Sequence, residues 1–321
     1  MDSNRVILAG GTGFLGRALS DALLAKGYQV VVLTRSPPAG ARDGVRFVQW
    51  DGKTRGHWAA ELDGAGAVVN LAGKNVNCRY TPQNLREIDE SRVNAVKGVA
   101  QAINACQNKP LVLVQAATTA IYGDAGDRVC DETAPPGEGI PPATATKWED
   151  AFNGSPTPGV RRVILRISFA LGAGGGALPV LAGLTRWFLG GAVGTGRQYI
   201  SWIHLDDVTR LFLWAIENER AEGLYNATLP NPVTNAEFMR ELRRVLHRPW
   251  APPTPAPLVR VGSFFMRTEP VLALTGRRCV PARLQREGFT FDYPKLPEAL
   301  RAVFAGAATE SSQARAERLA R

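Results

Sequence analysis

Residues 5–16 read Arg-Val-Ile-Leu-Ala-Gly-Gly-Thr-Gly-Phe-Leu-Gly, and no other stretch of the chain restricts its fold as strongly. A short apolar run meets a turn crowded with glycine, and an amphipathic stretch from Arg17 to Lys26 follows. Glycines 10, 13 and 16 fit G-x-x-G-x-x-G, and glycines 11, 13 and 16 also fit G-x-G-x-x-G. A glycine pattern alone says little. This one follows an apolar run, opens a helical stretch and is succeeded by a second run, Gln29-Val-Val-Val-Leu-Thr34. That is the strand–helix–strand context the dinucleotide fingerprint requires. Small residues let the backbone approach a pyrophosphate, whose charge meets free amides and the positive helix end. Cofactor contacts are therefore expected from Gly10, Thr12, Gly13, Phe14, Leu15 and Gly16.

The end of the second run bears on which dinucleotide is held. NAD-selective sites place an acid about twenty residues past the glycines, where it accepts from the ribose hydroxyls. Here Thr34-Arg35-Ser36 occupies that place, and no carboxylate follows before Asp43. Arg35 offers a forked cation able to pair with a 2′-phosphate and stack on adenine. NADP(H) is favoured over NAD(H); the alternative is that Arg35 is a solvated loop charge.

A chain of 321 residues has room for one large or two modest domains, each with an ample core. No apolar run reaches a membrane span and no secretory signal is read, so no membrane association and a cytoplasmic, reducing location are expected. The four cysteines are scattered and histidines number only three, which gives no metal-binding pattern and favours free thiols. The net charge of +9 is concentrated late: from Arg240 onward, 15 Lys+Arg stand against 7 Asp+Glu. No nucleic-acid module accompanies those arginines, so nucleic-acid binding is not expected. A basic lobe suits an anionic small molecule equally well.

Strand and helix signals alternate, which predicts an α/β fold with a parallel sheet covered on both faces. Further strands are expected at 45–50, 66–71, 111–115 and 160–167, with helices near 13–26, 82–107 and 144–153. Apolar residues of the 82–108 segment recur at helical spacing. Past Leu171 the texture changes to glycine-rich turns and helical stretches near 177–189, 206–218, 234–247 and 281–288. Pro249 to Pro257 is expected to be an extended connection. The division expected is 1–170 for the cofactor domain, 171–305 for a smaller α+β substrate lobe, and 306–321 for a polar tail. That division leaves room for the lobe to return one strand or helix to the main sheet.

Several blocks, in order, cover nearly the whole chain and resemble the extended short-chain dehydrogenases/reductases, specifically their atypical epimerase-like subgroup. Among them are the Gly10–Gly16 turn, Val69-Asn-Leu-Ala-Gly73, Ser91-Arg-Val93, Ala120-Ile-Tyr-Gly-Asp124 and Leu165-Arg-Ile-Ser-Phe-Ala-Leu-Gly172. Later blocks run from Gly194 to Asp207, Pro232 to Phe238 and Pro281 to Phe289. The resemblance implies a Rossmann-like doubly wound sheet with a lobe closing over substrate. It also implies adenine contact from Asp51 and a nicotinamide-ribose wall made by Leu71, Ala72 and Gly73.

The chemistry of that superfamily uses a Ser or Thr, and a Tyr four residues before a Lys. By resemblance the hydroxyl is Thr118 and the lysine is Lys147, but Ala143 stands where the tyrosine belongs. Tyr122, Tyr80 and His204 are candidate replacements, Tyr122 having packing beside the cofactor as its alternative role and His204 a structural place at a helix start. A second reading is hydride transfer that needs little acid assistance; a third is an inactive, nucleotide-loaded sensor or scaffold. The expectation is an NADP(H)-dependent oxidoreductase, a reductase before an epimerase, acting on a small polar molecule. A homodimer is compatible with the sequence.

Overall fold

In the computed structural model, which describes residues 4–38, 40 and 42–306, the β-branched runs form one seven-stranded sheet. Its strands are β1 (Arg5–Ala9), β2 (Gln29–Thr34), β3 (Val45–Gln49), β4 (Ala67–Asn70), β5 (Val112–Thr118), β6 (Arg161–Ile167) and β7 (Gly223–Ala227). Every pairing is parallel, in the order β7-β6-β5-β4-β1-β2-β3. The order reverses between β1 and β4, and such a switch point opens a crevice beyond the carboxyl ends of the strands. Val6 to Ala9, Ala67 to Val69 and Val112 to Val114 are buried on both faces, as a sheet covered by helices on each side demands.

The helices that frame the crevice are α1 (Phe14–Ala25), α2 (Pro82–Asn104) and α3 (Ile140–Asn153). α2 starts where Thr81 accepts from the Asn84 amide and Pro82 fills the first turn, a favoured N-terminus. Its buried residues (Ile88, Ala95, Val96, Val99, Ile103) recur every three or four positions and lie against the sheet. At Gly98 an added side chain would stand 2.8 Å from the Lys53 carbonyl oxygen, so a glycine lets α2 close on the loop after β3.

After β6 come α4 (Leu178–Arg186), α5 (Leu205–Glu217), α6 (Asn235–Val245) and α7 (Ala256–Phe265). α6 is fixed by a capping box in which Thr234 and Glu237 satisfy each other's backbone amides. The segment after α5 returns to the main sheet as β7, its seventh strand. The proline-rich stretch is extended only as far as Pro255; α7 begins at Ala256, with prolines in its first turn. A last helix covers 296–306, so the expected tail lies, after residue 306, outside the described residues. No helix among the described residues is long and apolar enough to cross a membrane, and none of their acidic, histidine and cysteine clusters could hold a metal.

Candidate functional site

The glycine turn closes for reasons that differ along its length. Gly10 has φ +79°, a left-handed value that a side chain resists, and a Cβ there would stand 2.7 Å from the Ala72 Cα. Gly16 is closer still, since a Cβ would meet the Gly11 carbonyl oxygen at 2.3 Å. Gly13 is unlike both. A Cβ there would meet nothing within 4 Å, so the protein leaves space in front of it. Gly13 is also the N-cap of α1, provides no side-chain cap, and is followed by a first turn without acid. Bare amides and a positive helix end thus face open space, which fits a diphosphate.

Around that turn, Leu71 donates its amide to Ala9 at 2.8 Å, and Asn70 Oδ1 accepts from the Ala72 amide at 3.1 Å. Buried Asn70 is itself held by Gln115 on β5, so the Leu71-Ala72-Gly73 backbone is pinned against Gly10. Phe14 turns toward the glycine turn at 172–176, with its ring 2.6 Å from where a side chain on Gly172 would begin. Thr12 is half-buried and its carbonyl accepts from Arg17, whereas Leu15 packs on the core. Arg35, just past β2, is exposed, and among the described residues it has no partner. Asp51 is exposed and engaged by its own loop, accepting from the amides of Lys53 and Thr54 and from the Thr54 hydroxyl. Burial acts to raise its pKa, but those hydrogen bonds outweigh it and hold the carboxyl below its ordinary value.

The other sequence-predicted residues part company. Thr118 ends β5 and lines a chamber of about 120 Å³ between α2, α3 and Leu272. Its oxygen accepts from the Ala120 amide at 3.1 Å, which leaves its proton to donate elsewhere. Lys147 is on α3, but its ammonium donates to Asp89 at 2.6 Å and its side chain is 61% exposed. Asp89 also accepts from Thr144, so the lysine belongs to an α2–α3 link rather than to the chamber wall.

Tyr122 is wholly buried. Its hydroxyl donates between the Asp131 carbonyl and Asn226 Oδ1, each at 2.8 Å, and accepts from Arg166 at 2.8 Å. Burial drives the phenol's pKa far up, and Arg166 only partly offsets that. With every position at the oxygen taken, Tyr122 has no proton to exchange. Arg166 is paired with Glu149 at 2.7 and 2.8 Å deep inside, joining β6 to α3. Its role is structural.

His204 caps α5, its Nδ1 accepting from the Asp206 amide at 3.1 Å, and its ring lies 3.8 Å from that of Tyr293. Burial lowers its pKa against the pull of Asp206 and Asp207, so the ring is neutral at pH 7. Trp202 and Trp214 belong to the core, whereas Trp187 is exposed. Gly194 and Gly196 take left-handed values in a turn whose amides are engaged by protein, Gly194 donating to the Thr254 carbonyl, Gly196 to the Val193 carbonyl and Arg197 to the Thr195 hydroxyl.

Two residues of the chamber were not read as site residues from the sequence: Arg92, halfway along α2, and Trp148 on α3. The block Ser91-Arg-Val93 carries the signal for the first. Ser91 accepts from the Lys74 amide and fixes the loop after β4, while Arg92 turns toward Gly73. Helical spacing shows which side of α2 is buried, but not that one buried position carries a cation.

Fold and turn together define a dinucleotide-binding α/β protein of the extended short-chain dehydrogenase/reductase kind. The chain belongs to the NAD dependent epimerase/dehydratase family, which residues 6–227 match, and residues 254–303 match a domain of unknown function, DUF1731. The epimerase family protein YfhF of Bacillus subtilis is 33% identical over 306 residues, covering 94% of this chain and 98% of that protein. Human epimerase family protein SDR39U1, solved as a crystal structure with NADPH, superposes with a TM-score of 0.83 at 32% identity. That match covers 93% of this chain and 98% of the human one. A nucleoside-diphosphate sugar epimerase from Corynebacterium glutamicum gives a TM-score of 0.74 at 30% identity, over 93% of this chain and 57% of that one.

Proposed function

We propose that this protein is an NADP(H)-dependent oxidoreductase, acting as a reductase on a small molecule with a carbonyl or activated double bond. The observation that carries this reading is the open face of Gly13, where unencumbered amides at the start of α1 look into the crevice at the switch point. Gly10, Thr12, Gly13, Phe14, Leu15 and Gly16 would hold the diphosphate, and Leu71, Ala72 and Gly73 the nicotinamide ribose. Asp51 is kept for the adenine end, where its loop has already fixed its carboxylate. Arg35, exposed and unpaired where NAD-selective sites carry an acid, supports a 2′-phosphate, and the NADPH-bound human relative agrees.

When bound, the coenzyme supplies a hydride. The chain's own residues do the rest. Thr118 donates its free proton in a hydrogen bond to the substrate oxygen, and the apolar wall from α2 and α3 keeps bulk water away. Ala143 stands where the superfamily's tyrosine would and has no proton to give. The proton that completes the reduction comes from a single water admitted with the substrate, which suits a one-way reduction better than an epimerisation that must shuttle protons both ways. Lys147 enters only if its link to Asp89 opens, and His204, neutral and buried, holds the start of α5.

A second reading has a specific support: Ala143 replaces the proton donor and Tyr122 is sealed. In it the protein binds NADP(H) as a catalytically inactive regulator or scaffold. Consumption of NADPH with a panel of carbonyl and enoyl compounds decides between the two. Turnover abolished by Thr118→Val supports the enzyme; tight NADPH binding without turnover across the panel supports the regulator.

A further inference from the structure

The chamber beside Thr118 contains a cation, Arg92, that no anion among the described residues matches. The Arg92 guanidinium carbon lies 3.2 Å from where a side chain on Gly73 would begin, and it stacks over the Trp148 ring at 4.9 Å. Its hydrogen bond is to the Ile88 carbonyl of its own helix, at 3.0 Å. Among the described residues no carboxylate comes within ion-pair reach of it. Asp89, three positions before it on the chain, is taken up by Lys147 and Thr144. Burial lowers the guanidinium's pKa, and the charges of Asp89 and Tyr80 offset that only in part. A cation held this way is costly unless something brings the opposite charge.

The rest of the chamber says what that something looks like. Val76, Leu85, Ile88, Ile140 and Leu272 make it mostly apolar. Thr118 and Tyr80 bring hydroxyls, and the buried indole N–H of Trp148 has no acceptor. The volume of about 120 Å³ equals only about four water molecules, below the ~300 Å³ at which pockets for drug-sized ligands begin. A chamber of that size takes a small acyclic molecule whole. Beyond the loop that ends at Thr81, Arg79 and Arg267 line a wider cavity of about 630 Å³, so the approach is also positive.

We propose that the chamber binds a short-chain carboxylic acid, with Arg92 clamping the carboxylate and the apolar wall enclosing the carbon chain. A planar guanidinium matches a carboxylate with two parallel hydrogen bonds, and the apolar wall around it suits a carbon chain. For the reaction this rests on the reductase reading, and the reducible group then lies between the clamped carboxylate and Thr118. For binding alone it stands on the geometry. Arg92 is a specificity-determining residue that fixes the substrate class as small acids.

The test is a calorimetric titration with straight-chain acids from acetate to hexanoate against their primary amides, on free and NADP⁺-saturated protein. The acids are expected to bind at least tenfold more tightly than the matched amides. Arg92→Gln removes that preference while NADP⁺ affinity stays within twofold, and Arg92→Lys restores part of it. Acids and amides binding alike, or neither binding, overturns the proposal, and so does a preference that survives Arg92→Gln. Loss of NADP⁺ affinity in that variant also overturns it, by assigning Arg92 to the coenzyme. If Arg92→Gln does not fold, the acid–amide contrast in the unaltered protein still decides. Failure to bind NADP(H) would sink the proposed function yet leave that contrast measurable in the free protein.

Discussion

The two ends of the crevice are built on different principles. At the proposed coenzyme end, eight consecutive residues from Ala9 to Gly16 form the turn, and what they offer a ligand is backbone. At the substrate end, Gly73, Arg92, Thr118, Thr144 and Trp148 arrive from four separate stretches of chain, and side chains do the work. The first can be read as a word. The second exists only after β4, α2, β5 and α3 have packed.

That contrast can be broken by substitution. The largest effect is expected beneath the substrate end. Glu149→Gln leaves Arg166 buried without its partner, which should cost about 3–5 kcal/mol in denaturant unfolding. Gly16→Ala comes next, because its Cβ would overlap the Gly11 carbonyl and the turn must open. A loss of about 1–3 kcal/mol, together with loss of NADPH binding, is expected from overpacking of this kind. Gly13→Ala sharpens the point. It meets no protein atom, so stability should stay within about 0.5 kcal/mol while NADPH affinity falls by about tenfold, a selective loss on the ligand side. A tenfold loss of affinity with Gly13→Ala alone would show that the space is used.

Smaller effects come from the titrating and surface groups. The pKa of His204 is lowered on folding from its ordinary value of 6.5, so the unfolded chain binds the proton more readily. Stability is then complete above pH 6.5 and is lost as pH falls below it, toward the lower folded value. Asp207 beside it is shifted upward by burial and opposes this at lower pH, so the difference from His204→Asn is the quantity to read. The variant should be less pH-sensitive than the parent between about pH 7 and 5 in thermal melts. Lys147→Ala should be the mildest. It removes an exposed ion pair worth about 0–1 kcal/mol, and turnover within twofold of the parent would leave the lysine out of the mechanism.

Six strands of the sheet were legible because each carries a cluster of apolar, largely β-branched residues, and the helices of the first half because their apolar residues repeat at helical spacing. β7 was not, since Gly-Leu-Tyr-Asn-Ala is a strand only through its pairing with β6. α7 was hidden by prolines that read as an extended connection yet sit in its first turn, where a missing amide costs little. Thr118 was reached through the family resemblance, and the strand expected at 111–115 runs on to it. Lys147 was drawn from the same resemblance, which cannot show that Asp89 on another helix takes up its ammonium. Arg92 escaped for the converse reason: one arginine among the 38 Lys and Arg of the chain carries no mark of burial until α2 and α3 pack.

The central claim is that amides around Gly13 hold the diphosphate and that Arg35 selects the phosphorylated coenzyme. Side-by-side fluorescence titration with NADPH and NADH, on protein freed of nucleotide and on Arg35→Asp, tests it directly. The account predicts tighter NADPH binding by the unaltered chain and a loss or reversal of that preference in the variant. Equal affinities in the unaltered chain, or no binding of either coenzyme, would contradict it.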